Sequence, residues 1–183
     1  MVFTAACSII HDKMPSSFIV EFTFEKRLYD GFVRNVAGDG SCFWHALDYA
    51  VGRGVQMLKM ETARAMQVSR ERHDALWGDF QNYLKHALQV PETLQGYALL
   101  DTTRTEDDPV ELIRRPHQYA EEWMFPFVCA ALKRDLAVVC HQGAGGGYRA
   151  YTPAPRMYPT RAPIFVYKDN QLAHYRAVDA EPE

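Results

Sequence analysis

A cysteine follows a short glycine-containing turn at the point where an amphipathic helix is predicted to begin. Cys42 comes directly after residues 38–41, and the apolar side chains beyond it recur with helical spacing up to a stop at Gly52. In the first turn of a helix, unpaired backbone N–H groups and the positive end of the helix dipole favour the thiolate, which is the nucleophile. We therefore predict that Cys42 is nucleophilic, with a buried structural cysteine as the alternative.

The turn before this cysteine is suited to stabilise an oxyanion. Gly40 allows the positive φ that a tight loop needs, because it has no Cβ. The backbone N–H groups of Gly40, Ser41 and Cys42 can then point into one cleft and donate hydrogen bonds to a negatively charged oxygen. The sequence therefore predicts an oxyanion hole beside the nucleophile.

A cysteine nucleophile also needs an imidazole that lies close to it in space. Of the seven histidines, His174 stands at the start of a predicted strand, shortly after a turn at Asp169-Asn170. His45 is near Cys42 in sequence, but its helix is expected to direct it toward the body of the domain or toward solvent. The other histidines have no supporting context, so we predict His174 as the general base.

Length, composition and charge exclude several classes of function. The chain has 183 residues, which is the size of one domain, and 48% of them are hydrophobic, enough for one sizeable core. The net charge is −3, so there is no basic field to hold nucleic acid and no polybasic membrane arm. The longest apolar runs are shorter than the roughly 18 residues of a membrane span.

Cysteine usage predicts a reducing compartment. The four cysteines are isolated, without a C-x-x-C pair, and no His or Cys group has the spacing of a zinc site, so we expect no metal. The first residues lack the basic segment and long apolar core of a classical signal peptide. We expect a cytoplasmic protein, or one in the host cytosol if it is a pathogen effector.

The elements that must position Cys42 and His174 are helices early in the chain and strands that close the domain late. Residues 89–117 contain several prolines and an acidic run, which is typical of a solvated loop-and-helix excursion, with a binding arm as the alternative. Apolar patterning predicts strands at 18–24, 32–36, 136–140, 164–167 and 174–178, and helices from residue 42, within 62–88 and at 125–132. This order indicates an α+β domain.

Three blocks of the sequence, in this order, resemble those of the ovarian-tumour (OTU) cysteine proteases. They are the nucleophile motif Asp39-Gly40-Ser41-Cys42-Phe43-Trp44-His45-Ala46-Leu47, the middle block at 119–123 with the helix and strand after it, and the closing block at 163–167 followed by His174-Tyr175. The resemblance implies a papain-like OTU fold with a central, mostly antiparallel β-sheet flanked by helices. It also implies one catalytic domain over residues 1–183, with a core at about 32–178, an N-terminal extension (1–31) packed on it and a variable helical arm (89–118).

The same resemblance implies a deubiquitinase that cleaves the (iso)peptide bond after the C-terminal glycine of ubiquitin, through a thioester. Cys42 would be the nucleophile and His174 the base and later the acid. Asp39 would help to shape the loop that stabilises the oxyanion. Ubiquitin or polyubiquitin chains would be the partners of a monomer without metal or organic cofactor. Trp123 would support the core. Expected substrate contacts are Tyr175 and, facing the arginines of the ubiquitin tail, Glu106, Asp107 and Asp108, for which a solvated face is the alternative.

The sequence departs from the family at the group that orients the histidine. Many members have Asp or Asn two residues after the catalytic histidine, whereas here Arg176 stands there and cannot accept a hydrogen bond. Asp179 is at an odd offset and should point to the other face of its strand. The orienting group could instead come from upstream of the nucleophile, and the candidates that remain open are Asn35, Glu21 and Asp12.

Three further functions stay open at this point. The protein could be a non-catalytic ubiquitin-binding module, for which Arg176 is the support. It could be a viral protease of the same fold that processes a polyprotein, or a hydrolase acting on ubiquitin-like modifiers.

Overall fold

Along the chain, two strands come before the helices and four strands come after them. The computed structural model describes residues 16–89, 108–144, 146–169 and 174–182. Within these ranges the strands are β1 Ser17–Phe24, β2 Arg27–Arg34, β3 Leu136–His141, β4 Tyr148–Tyr151, β5 Ile164–Asp169 and β6 His174–Pro182. The helices are α1 Cys42–Val51, α2 Val55–Arg72, α3 Ala75–Gln89, α4 Pro109–Arg114 and α5 Phe125–Leu132, with a 3₁₀ turn at Glu122–Met124.

The strands form one sheet that closes into a barrel. Its order is β1-β2-β6-β5-β3-β4, with β4 returning to β1. The β1/β2, β2/β6, β5/β6 and β3/β4 pairs are antiparallel, whereas β3/β5 and β1/β4 are parallel. The predicted α+β class with a mostly antiparallel sheet is confirmed. The closure was not predicted, because it depends on a short pairing in which Phe22 and Thr23 lie opposite Tyr148 and Arg149.

Two apolar cores follow from the alternation of side chains along the strands. The barrel interior is filled from all six strands by Val20, Phe22, Phe24, Val33, Ala137, Val139, Ala150, Phe165, Tyr167 and Val178. Residues of the opposite parity, such as Val138, Val166 and Ala177, join the helices in a second core on the outer face. There the Phe43 ring of α1 stacks on Phe125 of α5, with ring centroids 4.8 Å apart.

The N-terminal part of the described chain is a wall of the barrel. Residues 16–31 supply β1 and the larger part of β2, which lies upstream of the strand expected at 32–36. The two strands are joined at Glu25 and Lys26, both with positive φ (47° and 66°). Neither residue marks this turn in the sequence, because glycine or asparagine usually occupies such positions. The Arg156 guanidinium holds the Glu25 carboxylate at 2.7 Å.

The helices present their apolar residues to the outer face of the sheet. Trp123 is buried, packs on Phe80 with ring centroids 5.2 Å apart, and donates its indole N–H to Glu121, so it supports the core. α1 ends at Gly52, where φ is +64°. In the described ranges we find no helix with the length and apolar character needed to cross a bilayer.

Asp135 fastens the proline-rich connection after β4 to the start of β3. Its carboxylate is buried and accepts hydrogen bonds from the N–H groups of Met157 (2.8 Å) and Tyr158 (3.1 Å). The Arg156 Nε atom lies 2.9 Å from the same carboxylate. Because this carboxylate serves three donors in a buried position, its loss leaves all of them without that acceptor.

We expect Asp135→Ala to lower the free energy of unfolding by about 3 kcal/mol, since it breaks a buried pair and leaves a cation behind. Urea denaturation of the purified variant measures this. The matched control is Asp179→Ala, which removes a half-exposed carboxylate paired with Arg34 and should cost less than about 1 kcal/mol. Equal losses in the two variants would contradict the role assigned to Asp135.

Candidate active site

The loop before α1 has the conformation that the sequence predicted for it. Gly40 has φ +85°, and a Cβ at this position would lie 2.4 Å from the His117 carbonyl oxygen. Both the backbone conformation and the close approach therefore require glycine. Cys42 is the first residue of α1 and is only 2% exposed. The thiol thus lies where helix N–H groups are unpaired and where water is largely excluded.

Asp39 holds this loop together. Its Oδ1 atom accepts the Ser41 N–H at 2.9 Å, and its Oδ2 atom lies 3.1 Å from Nε2 of His45. On the other side, the His117 Nδ1 atom is 2.8 Å from the Asp39 carbonyl oxygen. Burial acts to raise the pKa of Asp39, but the hydrogen bonds from His45 and Ser41 and the charges of His45 and His117 lower it below its ordinary value. Asp39 is therefore ionised at neutral pH, and His45 faces it.

The sulfur of Cys42 contacts the first residues of strand β6. The Tyr175 N–H donates to Cys42 Sγ at 3.4 Å, and His174 directly precedes Tyr175 as the first residue of that strand. His174 is 3% exposed. The fold therefore brings together the two regions, far apart in sequence, that were predicted to supply the nucleophile and the base.

Of the three upstream candidates for the orienting group, Asn35 contacts the histidine. Its Oδ1 atom lies 3.3 Å from His174 Nε2. Because β2 pairs with β6, with Arg34 opposite Ala177, the residue after β2 lies beside the start of β6. In the tautomer that carries its hydrogen on Nε2, the ring donates to this amide oxygen, and Nδ1 is then the ring nitrogen that can take up a proton.

The other candidates lie elsewhere. Glu21 is exposed on β1, and Asp12 is outside the described residues. Asp179 accepts hydrogen bonds from Arg34 and Tyr49, both at 3.1 Å. Arg176 is completely buried, with its guanidinium carbon 5.5 Å from the centroid of the Phe18 ring. The residue at the family's usual acidic position therefore packs within the protein.

The expected substrate contacts have different surroundings. The Tyr175 ring is 6% exposed and packs edge-on against Phe43 and Phe125, at 5.3 and 6.0 Å between ring centroids. Asp108 caps α4 by accepting the Val110 N–H at 2.9 Å and pairs with Arg70. Glu106 and Asp107 lie outside the described residues. Among the N–H groups predicted for the oxyanion hole, that of Ser41 is engaged by Asp39, whereas Gly40 and Cys42 flank it.

A buried lysine that was not among the predicted site residues lies beside this loop. Lys59 of α2 is 1% exposed, and its Nζ atom lies 3.3 Å from Ser41 Oγ and 2.7 Å from the Arg115 carbonyl oxygen. The sequence contains a pattern that indicates this burial, because Lys59 shares the buried side of its helix with Leu58 and Thr62. Among the described residues, no group of three or more His, Cys, Asp or Glu side chains is arranged to hold a metal ion.

No family model and no curated protein matches the sequence. Solved structures do resemble it. The viral OTU domain protease of Farallon virus has a TM-score of 0.52 at 13% identity, covering 92% of this chain and 94% of its own. The OTU domain of OTUD1 has a TM-score of 0.51 at 12% identity, covering 81% of this chain and 85% of its own. The protein has the OTU fold.

A third structure agrees with this assignment. The viral OTU domain protease of Dera Ghazi Khan virus has a TM-score of 0.50 at 12% identity and covers 91% of this chain and 98% of its own. The fold implied by the three sequence blocks is therefore confirmed. At such low identity the likeness establishes the OTU fold, and the chemistry has to be argued from the residues of this chain.

The lowered pKa of Asp39 predicts a pH dependence of stability. A carboxyl with a lower pKa in the folded than in the unfolded state adds stability above its unfolded pKa, and loses it as the pH falls through the folded value. We therefore expect the unfolding free energy of Asp39→Asn to fall less steeply than that of the wild type below about pH 4. Urea titrations at a series of pH values measure both slopes.

His45→Ala is the matched variant for this experiment. It removes the hydrogen bond to Asp39 Oδ2 but keeps the carboxyl, so its slope should lie between those of the wild type and Asp39→Asn. Identical slopes for all three proteins would show that Asp39 is not held as an anion in the folded loop.

Proposed function

We propose that this protein is a cysteine-dependent deubiquitinase that hydrolyses the (iso)peptide bond after the C-terminal glycine of ubiquitin or of polyubiquitin chains. The observation that carries the proposal is the hydrogen bond from the Tyr175 N–H to Cys42 Sγ, 3.4 Å long, which joins the nucleophile helix to the strand that begins with His174. The OTU fold supports a hydrolase of this class. Ubiquitin as the substrate is what the resemblance of the motifs implies.

In the first step, the Cys42 thiolate attacks the carbonyl carbon of the glycine, and the π electrons of the carbonyl move to its oxygen. Helix N–H groups at the start of α1 and the Gly40 N–H would hydrogen-bond that oxyanion. His174, protonated on Nδ1, gives this proton to the leaving amine nitrogen as the C–N bond breaks. The products are a free amine and a thioester between Cys42 and the glycine.

In the second step, His174 removes a proton from water, and the resulting hydroxide attacks the thioester carbonyl. The oxyanion collapses with cleavage of the C–S bond, which releases the carboxylic acid and the Cys42 thiolate. The Asn35 Oδ1 atom accepts a hydrogen bond from the Nε2–H group of His174 throughout and keeps the ring in one orientation. Asp39 supports both steps indirectly, because it holds the Ser41 N–H and with it the loop before the nucleophile.

The burial of the site suits this substrate. Cys42 is 2% and His174 is 3% exposed, so little space is open beside the sulfur for a bulky side chain next to the scissile carbonyl. Glycine adds no side chain at that point. An extended tail that ends in glycine is therefore the form of polypeptide best able to reach this sulfur.

The decisive experiment uses ubiquitin with an alkyne or vinyl electrophile at its C-terminus. Wild-type protein should form a covalent adduct that gains the mass of one ubiquitin, and Cys42→Ala should form none. Cys140→Ala is the matched control and should react like the wild type, because Cys140 is a half-buried thiol outside the site. Cys129 is no competitor, since burial raises its pKa to about 11.

Two outcomes would count against the proposal. Wild-type protein that binds ubiquitin without reacting would support a non-catalytic binding module. Reaction with the corresponding probe of a ubiquitin-like modifier, without reaction with ubiquitin, would assign a different substrate.

Substitution of Asn35 tests the orienting role. We expect Asn35→Ala to lower kcat for a fluorogenic ubiquitin amide by about tenfold or more with little change in KM, because the imidazole loses its orienting acceptor. Asn35→Asp keeps an acceptor at the same place and should retain most of the activity. Glu21→Ala, which removes an exposed side chain of β1, should behave as the wild type. Wild-type kcat in Asn35→Ala would refute the role.

A further inference from the structure

Lys59 is a buried cation in the second layer of the site. Its side chain leaves the buried side of α2 and is 1% exposed, whereas lysine is almost never fully buried without partners. The Nζ atom donates to the Arg115 carbonyl oxygen at 2.7 Å and to Ser41 Oγ at 3.3 Å, and it lies 5.8 Å from the centroid of the Trp44 ring. Desolvation of an ammonium group costs several kcal/mol, so these contacts must offset a considerable penalty.

The partners of Lys59 belong to two segments that touch at further points. We call residues 39–41 the oxyanion loop and residues 115–117 the clasp segment. The His117 ring contacts the Asp39 carbonyl oxygen at 2.8 Å, and Gly40 lies directly against the His117 carbonyl. Arg115, at the end of α4, donates its N–H to the Leu112 carbonyl at 3.3 Å, so the clasp segment is fixed to that helix. Lys59 adds the link at the Ser41 end of the oxyanion loop.

We propose that Lys59 is a positioning residue that ties Ser41 to the Arg115 carbonyl, and so holds the backbone N–H groups around Ser41 in the orientation that a tetrahedral oxyanion requires. This inference rests on the proposed hydrolase function. Lys59 acts through Ser41 and Arg115, and its contribution is the fixed geometry of the oxyanion loop. A donor that is already in place costs no reorganisation when charge develops on the substrate oxygen.

The charges around the loop agree with this role. Burial lowers the pKa of Lys59, and the Asp39 carboxylate acts in the opposite direction. The oxyanion loop therefore carries an anion at its Asp39 end and has a buried cation beside its Ser41 end. A cation on that side also favours the negative charge that develops beside Cys42 during the reaction.

The test compares two reactions of Cys42 in Lys59→Met, which keeps an unbranched apolar stem but has no ammonium group. Hydrolysis of a fluorogenic ubiquitin amide needs the oxyanion loop, whereas alkylation by iodoacetamide needs only the thiolate. We expect kcat to fall by about 10- to 100-fold with KM changed less than about twofold, and the alkylation rate to fall less than about threefold. Lys85→Met, which removes an exposed lysine of α3, is the control and should leave both rates unchanged.

Amide hydrogen exchange gives a readout that does not depend on activity. In Lys59→Met, the N–H groups of Ser41 and Cys42 should exchange faster than in the wild type, while those of the barrel strands do not change. A purely structural role would lower the melting temperature but leave kcat per folded molecule, and the ratio of hydrolysis to alkylation, at wild-type values. That result overturns the proposal.

A second variant keeps the test decisive if Lys59→Met does not fold. Ser41→Ala removes only the hydroxyl that Lys59 contacts and should lower kcat in the same direction; wild-type kcat in this variant also overturns the proposal. If both variants fold, the double variant should be no slower than the slower single one, because both remove the same link. If wild-type protein shows no Cys42-dependent turnover, the proposed function fails, and exchange at Ser41 and Cys42 still decides whether Lys59 fixes the loop.

Discussion

The hydrogen bond between the Tyr175 N–H and Cys42 Sγ is the point on which the site depends, and it exists only when the barrel is assembled. β6 is held between β2 and β5, and α1 packs through Phe43 on the outer face of the sheet. Tyr175 contributes twice to this arrangement. Its ring belongs to the core under α1, and its backbone N–H faces the sulfur. The packing that stabilises the domain therefore also sets the position of the thiol relative to the start of β6.

The strand next to β6 determines which residue lies beside the His174 ring. Side chains alternate along β6, so Arg176 lies on the same face as His174 and as Val178, which fills the barrel interior. On this face Arg176 is completely buried. β2 pairs with β6 and ends at Arg34, so the next residue, Asn35, lies beside His174. A carboxamide can thus be placed against the imidazole by the adjacent strand without any change to the strand that carries the imidazole. In the sequence, Arg176 departs from the family motif; in the structure, Asn35 occupies a place beside His174 instead.

Local signals in the sequence were sufficient for the elements that carry the nucleophile. The start of α1 at Cys42, its end at Gly52, the helix Phe125–Leu132 and the strand after it were predicted closely, since each has its own periodicity and a clear stop. The predicted position of β2 was wrong, because Glu25 and Lys26 form a turn with positive φ that contains no glycine. The predicted start of α2 was also wrong, since the helix begins at Val55, well before residue 62. Barrel closure, the choice of Asn35 and the burial of Lys59 depend on contacts between distant segments, which no local pattern records. The contact that unites α1 with β6 could be inferred only as a requirement of the chemistry.

Closure of the sheet has a consequence for how a peptide can be held. Among the described strands, each one has a neighbour on both sides, and the seam between β1 and β4 is the shortest, with only two residues of each strand paired. Addition of a peptide as a further strand would be least obstructed at this seam, which in the strand order is two strands from β6 on one side and three on the other. The part of the sheet most open to another strand and the part that contacts the Cys42 sulfur therefore lie on different sides of the barrel.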